Sequence, residues 1–207
     1  MKLCVFGATG GVGRQVVEQA LEAGHDVTAF VRTPSKLDLQ HSSLRLEQGD
    51  VFDPKAVLRA VHEQDVVICS LGSASLKKNT VRSDGTRHII EAMKQAGVKR
   101  LLVVTSMGVG DSRLQLSTFA KFFVSTVIRN PIADHEIQEG FVRESGLDWT
   151  IVRPSGLVDA DKTGGYLVGD NASLKSSRIA RADVAHFLLS QLEETEWLHK
   201  ATSITNP

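Results

Sequence analysis

Lys2-Leu3-Cys4-Val5-Phe6-Gly7-Ala8-Thr9-Gly10-Gly11-Val12-Gly13-Arg14 is the stretch on which the fold turns. A short apolar run, Leu3 to Phe6, stops at a glycine, and two more glycines follow at three-residue steps, Gly10 and Gly13. Val16, Val17, Ala20, Leu21 and Ala23 then recur at helical spacing. The order is strand, tight turn, helix, which is the context that a phosphate-cradling glycine turn requires. Gly7 lets the chain turn off the strand, Gly10 lets a pyrophosphate approach the backbone, and Gly13 lets the helix pack closely. The helix N-terminus adds free N–H groups and a partial positive charge. A dinucleotide held by Gly7, Thr9, Gly10, Gly11, Val12 and Gly13 is the expectation.

The second strand, His25 to Arg32, refines it. Folds that prefer NAD place an acidic residue near the end of this strand for the ribose 2′-hydroxyl. Arg32 stands there instead, followed by Ser35 and Lys36. A guanidinium cannot accept that hydroxyl's hydrogen bond but pairs well with a 2′-phosphate. NADP(H) is therefore expected over NAD(H), the other reading of Arg32 being an ordinary solvated arginine.

Downstream, strand patterns alternate with helical ones: Leu44–Val51, a helix Pro54–Glu63, Asp65–Gly72, a helix Asn79–Gln95, and Lys99–Ser106. This rhythm argues for a doubly wound parallel sheet with its ligand at the strands' carboxyl ends. Asp50 and Val51 close one strand, where the carboxylate either holds an adenine amino group or begins a turn and caps the helix at Pro54. Ser70, Leu71 and Gly72 are expected to pass over the cofactor's ribose. Thr105 and Ser106 end the fifth strand, and the Ser106 hydroxyl either faces the nicotinamide or satisfies local backbone.

Met107–Pro131 breaks the rhythm. Its Phe119, Phe122 and Phe123 are read as core or substrate-cleft packing, and the segment as a place for a substrate lid. A helix Asp134–Ser145 with Gly146 at its C′ position, a strand Asp148–Pro154, a loop Ser155–Asn171 on the substrate side, a helix Ala182–Leu192 and a short edge strand Ala201–Thr205 complete the chain. No repeat or linker divides it, so residues 1–207 read as one domain.

Bulk properties exclude other classes. Lys plus Arg and Asp plus Glu both number 24, which offers no face for nucleic acid. No apolar run approaches the ~18 residues of a membrane span. The start goes directly into a core strand, so no signal peptide is read and a cytoplasmic location is expected. Cys4 and Cys69 lie within strand patterns and are expected as small buried side chains, with a redox pair as the alternative. No metal site is read. The expected partner is a small-molecule electron acceptor, and the expected state a monomer or small homo-oligomer.

Gly7-Ala8-Thr9-Gly10-Gly11-Val12-Gly13, Gly49-Asp50-Val51, Thr105-Ser106 and Ser145-Gly146-Leu147-Asp148-Trp149-Thr150-Ile151-Val152-Arg153-Pro154 occur together and in order. The set resembles the atypical short-chain dehydrogenase/reductase superfamily. Val31-Arg32, Ser35-Lys36-Leu37, Asp134-His135 and Asp183 to Leu189 make it most similar there to the flavin reductase / biliverdin-IXβ reductase group. The resemblance implies a Rossmann fold with a small C-terminal substrate-side elaboration. It implies NADPH at the glycine turn, with Pro154 and Ser155 beside it and with Ser106 and His135 near the nicotinamide and substrate. It implies hydride transfer to a conjugated acceptor such as a flavin or linear tetrapyrrole. His135 would orient the cofactor or relay a proton, a role suited to the ordinary histidine pKa.

The chain departs from the superfamily in its acid/base pair. The usual Tyr and Lys positions hold Pro131 and His135, and the single tyrosine is Tyr166. That departure leaves a second reading, an NADP(H)-binding redox sensor with little or no turnover.

Overall fold

The computed structural model describes residues 1–169 and 178–207. Asp170 and Asn171, the end of the expected substrate-side loop, lie outside the described residues. Strands β1 (Lys2–Phe6), β2 (Asp26–Val31), β3 (Leu44–Gln48), β4 (Val66–Cys69), β5 (Arg100–Val104) and β6 (Asp148–Pro154) alternate with helices. These helices are α1 (Gly11–Glu22), α2 (Pro54–Val61), α3 (Val81–Ala96), α4 (Thr118–Thr126) and α5 (Arg129–Arg143). The chain continues through β7 (Gly156–Val158), β8 (Leu167–Gly169), β9 (Arg178–Ala180), α6 (Arg181–Ser190) and β10 (Lys200–Thr205).

The main sheet has the order β3-β2-β1-β4-β5-β6-β10-β8, and β7 pairs with β9 separately. Every pairing in the main sheet is parallel except β8 on β10. Helices cover both faces, so the central strands are buried on both sides and read as continuous apolar runs. Alternate residues of β1 feed two cores. Leu3 and Val5 pack with the α1 and α6 side chains, while Cys4 and Phe6 pack with those of α2 and α3. The strand order reverses between β1 and β4, and in an open α/β sheet the crevice at that point, beyond the carboxyl ends, is where ligands bind.

Three expectations change. The C-terminal segment is not an edge strand. β10 lies between β6 and β8, because three residues of the substrate-side loop, Leu167–Gly169, pair antiparallel with it. Helix α5 begins at Arg129 rather than Asp134, since Pro131 falls in its first turn, where a missing N–H breaks no helical bond. It ends at Arg143, so Gly146, at φ +69°, lies two residues past the cap Glu144 rather than next to it. The aromatics of Met107–Pro131 do not pack inward: Phe119 is 79 % and Phe122 66 % exposed, and Phe123 also faces outward. Helix α4 leans on α5, and the small apolar cluster beneath it, Val109, Val124 and Ile132, covers one narrow stripe.

Cys4 and Cys69 sit on adjacent strands, yet Phe6 rather than Cys4 is the register partner of Cys69. Both thiols are free and buried, and burial raises the pKa of each. The redox-pair alternative therefore falls away. Among the described residues no helix is long and apolar enough to cross a membrane.

Candidate active site

A cleft of ≈ 620 Å³ opens at the reversal between β1 and β4. Its floor is the glycine turn. Gly7 has φ +81°, and a Cβ there would lie 2.2 Å from the Ser70 carbonyl oxygen. A Cβ on Gly13 would lie 2.2 Å from the Gly7 carbonyl oxygen. These two glycines therefore let the end of β1, the start of α1 and the end of β4 approach one another. At Gly10 the case is different: φ is −81° and a Cβ would meet only the Gly7 oxygen at 3.2 Å. The chain itself nearly tolerates a side chain there, so the space above Gly10 is left for something else. Helix α1 carries no side-chain cap and no acid in its first turn, so its leading N–H groups stand open to the cleft. Turn, uncapped helix and space together fit a dinucleotide pyrophosphate.

The expected site residues divide into two sets. Gly7, Thr9, Gly10, Gly11 and Val12 line the cleft, as do Arg32, Asp50 and Val51 at one end. Ser70, Leu71 and Gly72 form one wall, and Thr105 and His135 lie at the far end. Gly13, Ser35, Lys36, Ser106, Pro154 and Ser155 are not in the lining. Gly13 is buried beneath the turn, and Ser35 and Lys36 are exposed on the short 3-10 turn Pro34–Lys36. Ser106 donates to the Met107 carbonyl at 3.2 Å, which is the local-backbone reading of that hydroxyl. Pro154 is buried in β6, and the Ser155 and Thr205 hydroxyls bond at 2.9 Å. Among the described residues, none of Met107–Pro131 lines the cleft, and of the substrate-side loop only Leu157 does.

Asp50 lines the cleft and opens a turn there, and it does not cap α2. It accepts from the Phe52 N–H at 3.0 Å, whereas the cap of α2 is Asp53, which accepts from the Lys55 N–H. The Arg32 side chain is exposed at the rim and makes no ion pair among the described residues.

His135 is buried, and its Nδ1 bonds the Gln138 Oε1 at 2.7 Å. An amide oxygen only accepts, so the ring proton sits on Nδ1 and Nε2 is a bare acceptor. The Gln138 amide N–H is engaged in turn by the Thr86 hydroxyl at 2.8 Å, which holds this orientation. Burial, and after it the Arg82 charge, pushes the His135 pKa down to about 4 from its ordinary 6.5. The ring is neutral at neutral pH. The proton-relay expectation took the pKa at its ordinary value, whereas burial holds it well below that. Thr105 donates to Glu139 Oε1 at 2.9 Å, and Arg153 clamps that carboxylate with bonds of 2.8 and 2.7 Å. Tyr166 bonds the His186 Nδ1 at 2.9 Å and is not in the cleft lining.

Of the cleft residues that the sequence reading did not name, two are charged, Arg82 and Arg181. Arg181 lies beside the turn, its Cδ 2.4 Å from where a Gly11 Cβ would be, and it pairs with Asp159 at 2.8 Å. Nothing in Ile179-Ala180-Arg181-Ala182 marks it. Arg82 does carry a signal: it is a cation in the first turn of α3, where the helix dipole favours anions.

A family model described as NAD(P)H-binding matches residues 7–195. The UPF0659 protein YMR090W of Saccharomyces cerevisiae is 30% identical over 224 residues, covering 100% of this chain and 93% of its own length. YwnB of Bacillus subtilis is 28% identical, covering 99% of this chain and 97% of its own. Among solved structures, ChuY of Escherichia coli O157:H7, described as an anaerobillin reductase, superposes with a TM-score of 0.84 at 27% identity, covering 100% of this chain and 98% of its own.

Proposed function

Because the chain belongs to the NAD(P)H-binding family, we propose that it is an NADPH-dependent reductase of a flat, conjugated acceptor such as a flavin or linear tetrapyrrole. The observation that carries this reading is the cleft itself: an open pyrophosphate cradle with an exposed arginine at one end and, among the described residues, a tyrosine-free wall with a neutral His135 at the other. ChuY, described as an anaerobillin reductase, supports the acceptor class.

Bound in this cleft, the dinucleotide supplies a hydride from its nicotinamide C4. The protein binds and orients. Gly7 to Val12 and the first turn of α1 would take the pyrophosphate, Arg32 the 2′-phosphate with Ser35 and Lys36 adjoining, and Asp50 with Val51 the adenine. Ser70 to Gly72 would border the ribose. Thr105, fixed by Glu139, and His135, with Nε2 free to accept, would orient the nicotinamide end. The neutral ring is no acid at pH 7, so the proton that completes reduction comes from solvent. A conjugated acceptor delocalises the incoming electron pair and needs no such acid, whereas a simple ketone does. Ser106, Pro154 and Ser155 would act, if at all, from behind the lining.

The test is NADPH oxidation under anaerobic conditions against FMN, a linear tetrapyrrole and a quinone panel. Turnover with at least one acceptor, faster with NADPH than NADH, is expected. Tight dinucleotide binding with no turnover on any of them overturns the reductase reading. It would favour the sensor instead, which the missing acid/base tyrosine also suits.

A further inference from the structure

Arg82 is the most buried cation in the cleft wall, 7 % exposed. Its charge is paired with Asp134, Nη1 standing 3.6 Å from a carboxylate oxygen, but among the described residues its Nε and Nη1 have no hydrogen-bond partner. That carboxylate is already committed: it accepts from the Arg82 and Ser83 backbone N–H groups, each at 3.2 Å, and from the Ser83 hydroxyl at 2.5 Å. Glu139, the next buried acid, is taken up by Arg153, Arg143 and Thr105. The guanidinium also sits in the first turn of α3, against the helix dipole. Its field reaches the reacting end of the cleft, since it helps to keep His135 neutral. A buried guanidinium with unbonded N–H groups is costly unless an anionic acceptor completes its hydrogen bonds.

The dinucleotide phosphates do not supply that anion: the glycine turn, the α1 N-terminus, Arg181 and Arg32 lie along the cleft for them. We infer that Arg82 anchors a carboxylate carried by the acceptor substrate, beside His135 at the nicotinamide end. This rests on the reductase reading above, and it adds to it that the conjugated acceptor is an acid. A guanidinium meets a carboxylate with two parallel N–H bonds, which fixes the acceptor's orientation as well as its affinity.

The test uses a matched pair of planar probes, anthraquinone-2-carboxylate and anthraquinone-2-carboxamide, titrated at pH 7.5 into the full chain saturated with NADP⁺. The carboxylate should bind about tenfold or more tightly than the amide, as expected for a charge-assisted hydrogen bond. Arg82→Gln should abolish the preference and Arg82→Lys should keep part of it. Equal affinities in the wild type, no carboxylate binding, or a preference that survives Arg82→Gln overturns the proposal. The wild-type ratio alone decides it should Arg82→Gln fail to fold. Dinucleotide affinity, titrated first, separates the failures: no NADP⁺ binding defeats the reductase reading, whereas intact NADP⁺ binding without carboxylate preference defeats this inference alone.

Discussion

The His135 Nδ1 and the Gln138 Oε1 lie 2.7 Å apart in a buried pair at the reacting end of the cleft, and their bond fixes the tautomer of an imidazole that burial keeps neutral, leaving one open acceptor nitrogen. The pair ties the acid–base character of the site to the stability of the fold.

The His135 pKa is depressed from 6.5 to about 4, so between these values the unfolded chain binds a proton that the folded chain refuses. Stability from this group is full above pH 6.5 and falls as pH drops toward 4. At pH 5 the loss is about 2 kcal/mol relative to pH 7. Urea unfolding at both pH values should show that extra acid sensitivity in the wild type and not in His135→Gln. Equal sensitivity in both would mean the ring is not held neutral.

The glycine turn separates fold from ligand. Gly7→Ala forces a Cβ onto the Ser70 carbonyl oxygen at a positive φ, and should cost about 1–3 kcal/mol or more. Gly10→Ala meets only a 3.2 Å contact, so it should melt within a few degrees of the wild type yet lose most NADPH affinity. Thermal melts with and without NADPH read both effects. A Gly10→Ala protein that binds as well as the wild type would remove the pyrophosphate from that position.

Arg32→Ala should raise the KM for NADPH about 10- to 100-fold and leave that for NADH within about twofold, because only the 2′-phosphate uses the guanidinium. Steady-state kinetics with both nucleotides check this. Equal losses would take the 2′-phosphate away from Arg32.

How much of this was legible follows from where the information sits. The cradle is local in sequence: strand, Gly7 to Gly13, helix, and Gly7, Thr9, Gly10, Gly11 and Val12 of it line the cleft. Arg32 and Asp50 were found because a strand's carboxyl end is fixed relative to the turn. The far end was not local. His135 was identified by resemblance, but its neutrality depends on burial and the Arg82 charge, and its tautomer on Gln138 held by Thr86, groups that three different turns of two helices bring together. β8 is three residues long, too short for a periodic pattern, and without it β10 reads as an edge. The aromatic run of α4 has helical spacing whichever way it faces, and only the neighbour it packs on decides its burial.

Glu139 and Arg153 bury their charges on each other, with side chains 5 % and 3 % exposed. Glu139→Ala strands the Arg153 guanidinium beside Asp111 alone and should cost about 3–5 kcal/mol. Urea unfolding measures this. Thr105 would lose its acceptor as well, so kcat should fall more than KM rises. A change below about 1 kcal/mol would show that this pair does not hold the end of β5.

The central claim is that this cleft grips a phosphorylated dinucleotide, and equilibrium titration of the purified chain with NADPH and NADH, followed by nicotinamide fluorescence, tests it most directly. Saturable one-to-one binding is expected, at about 10 µM or tighter for NADPH and at least tenfold weaker for NADH. No saturation with either nucleotide up to about 1 mM would contradict the account.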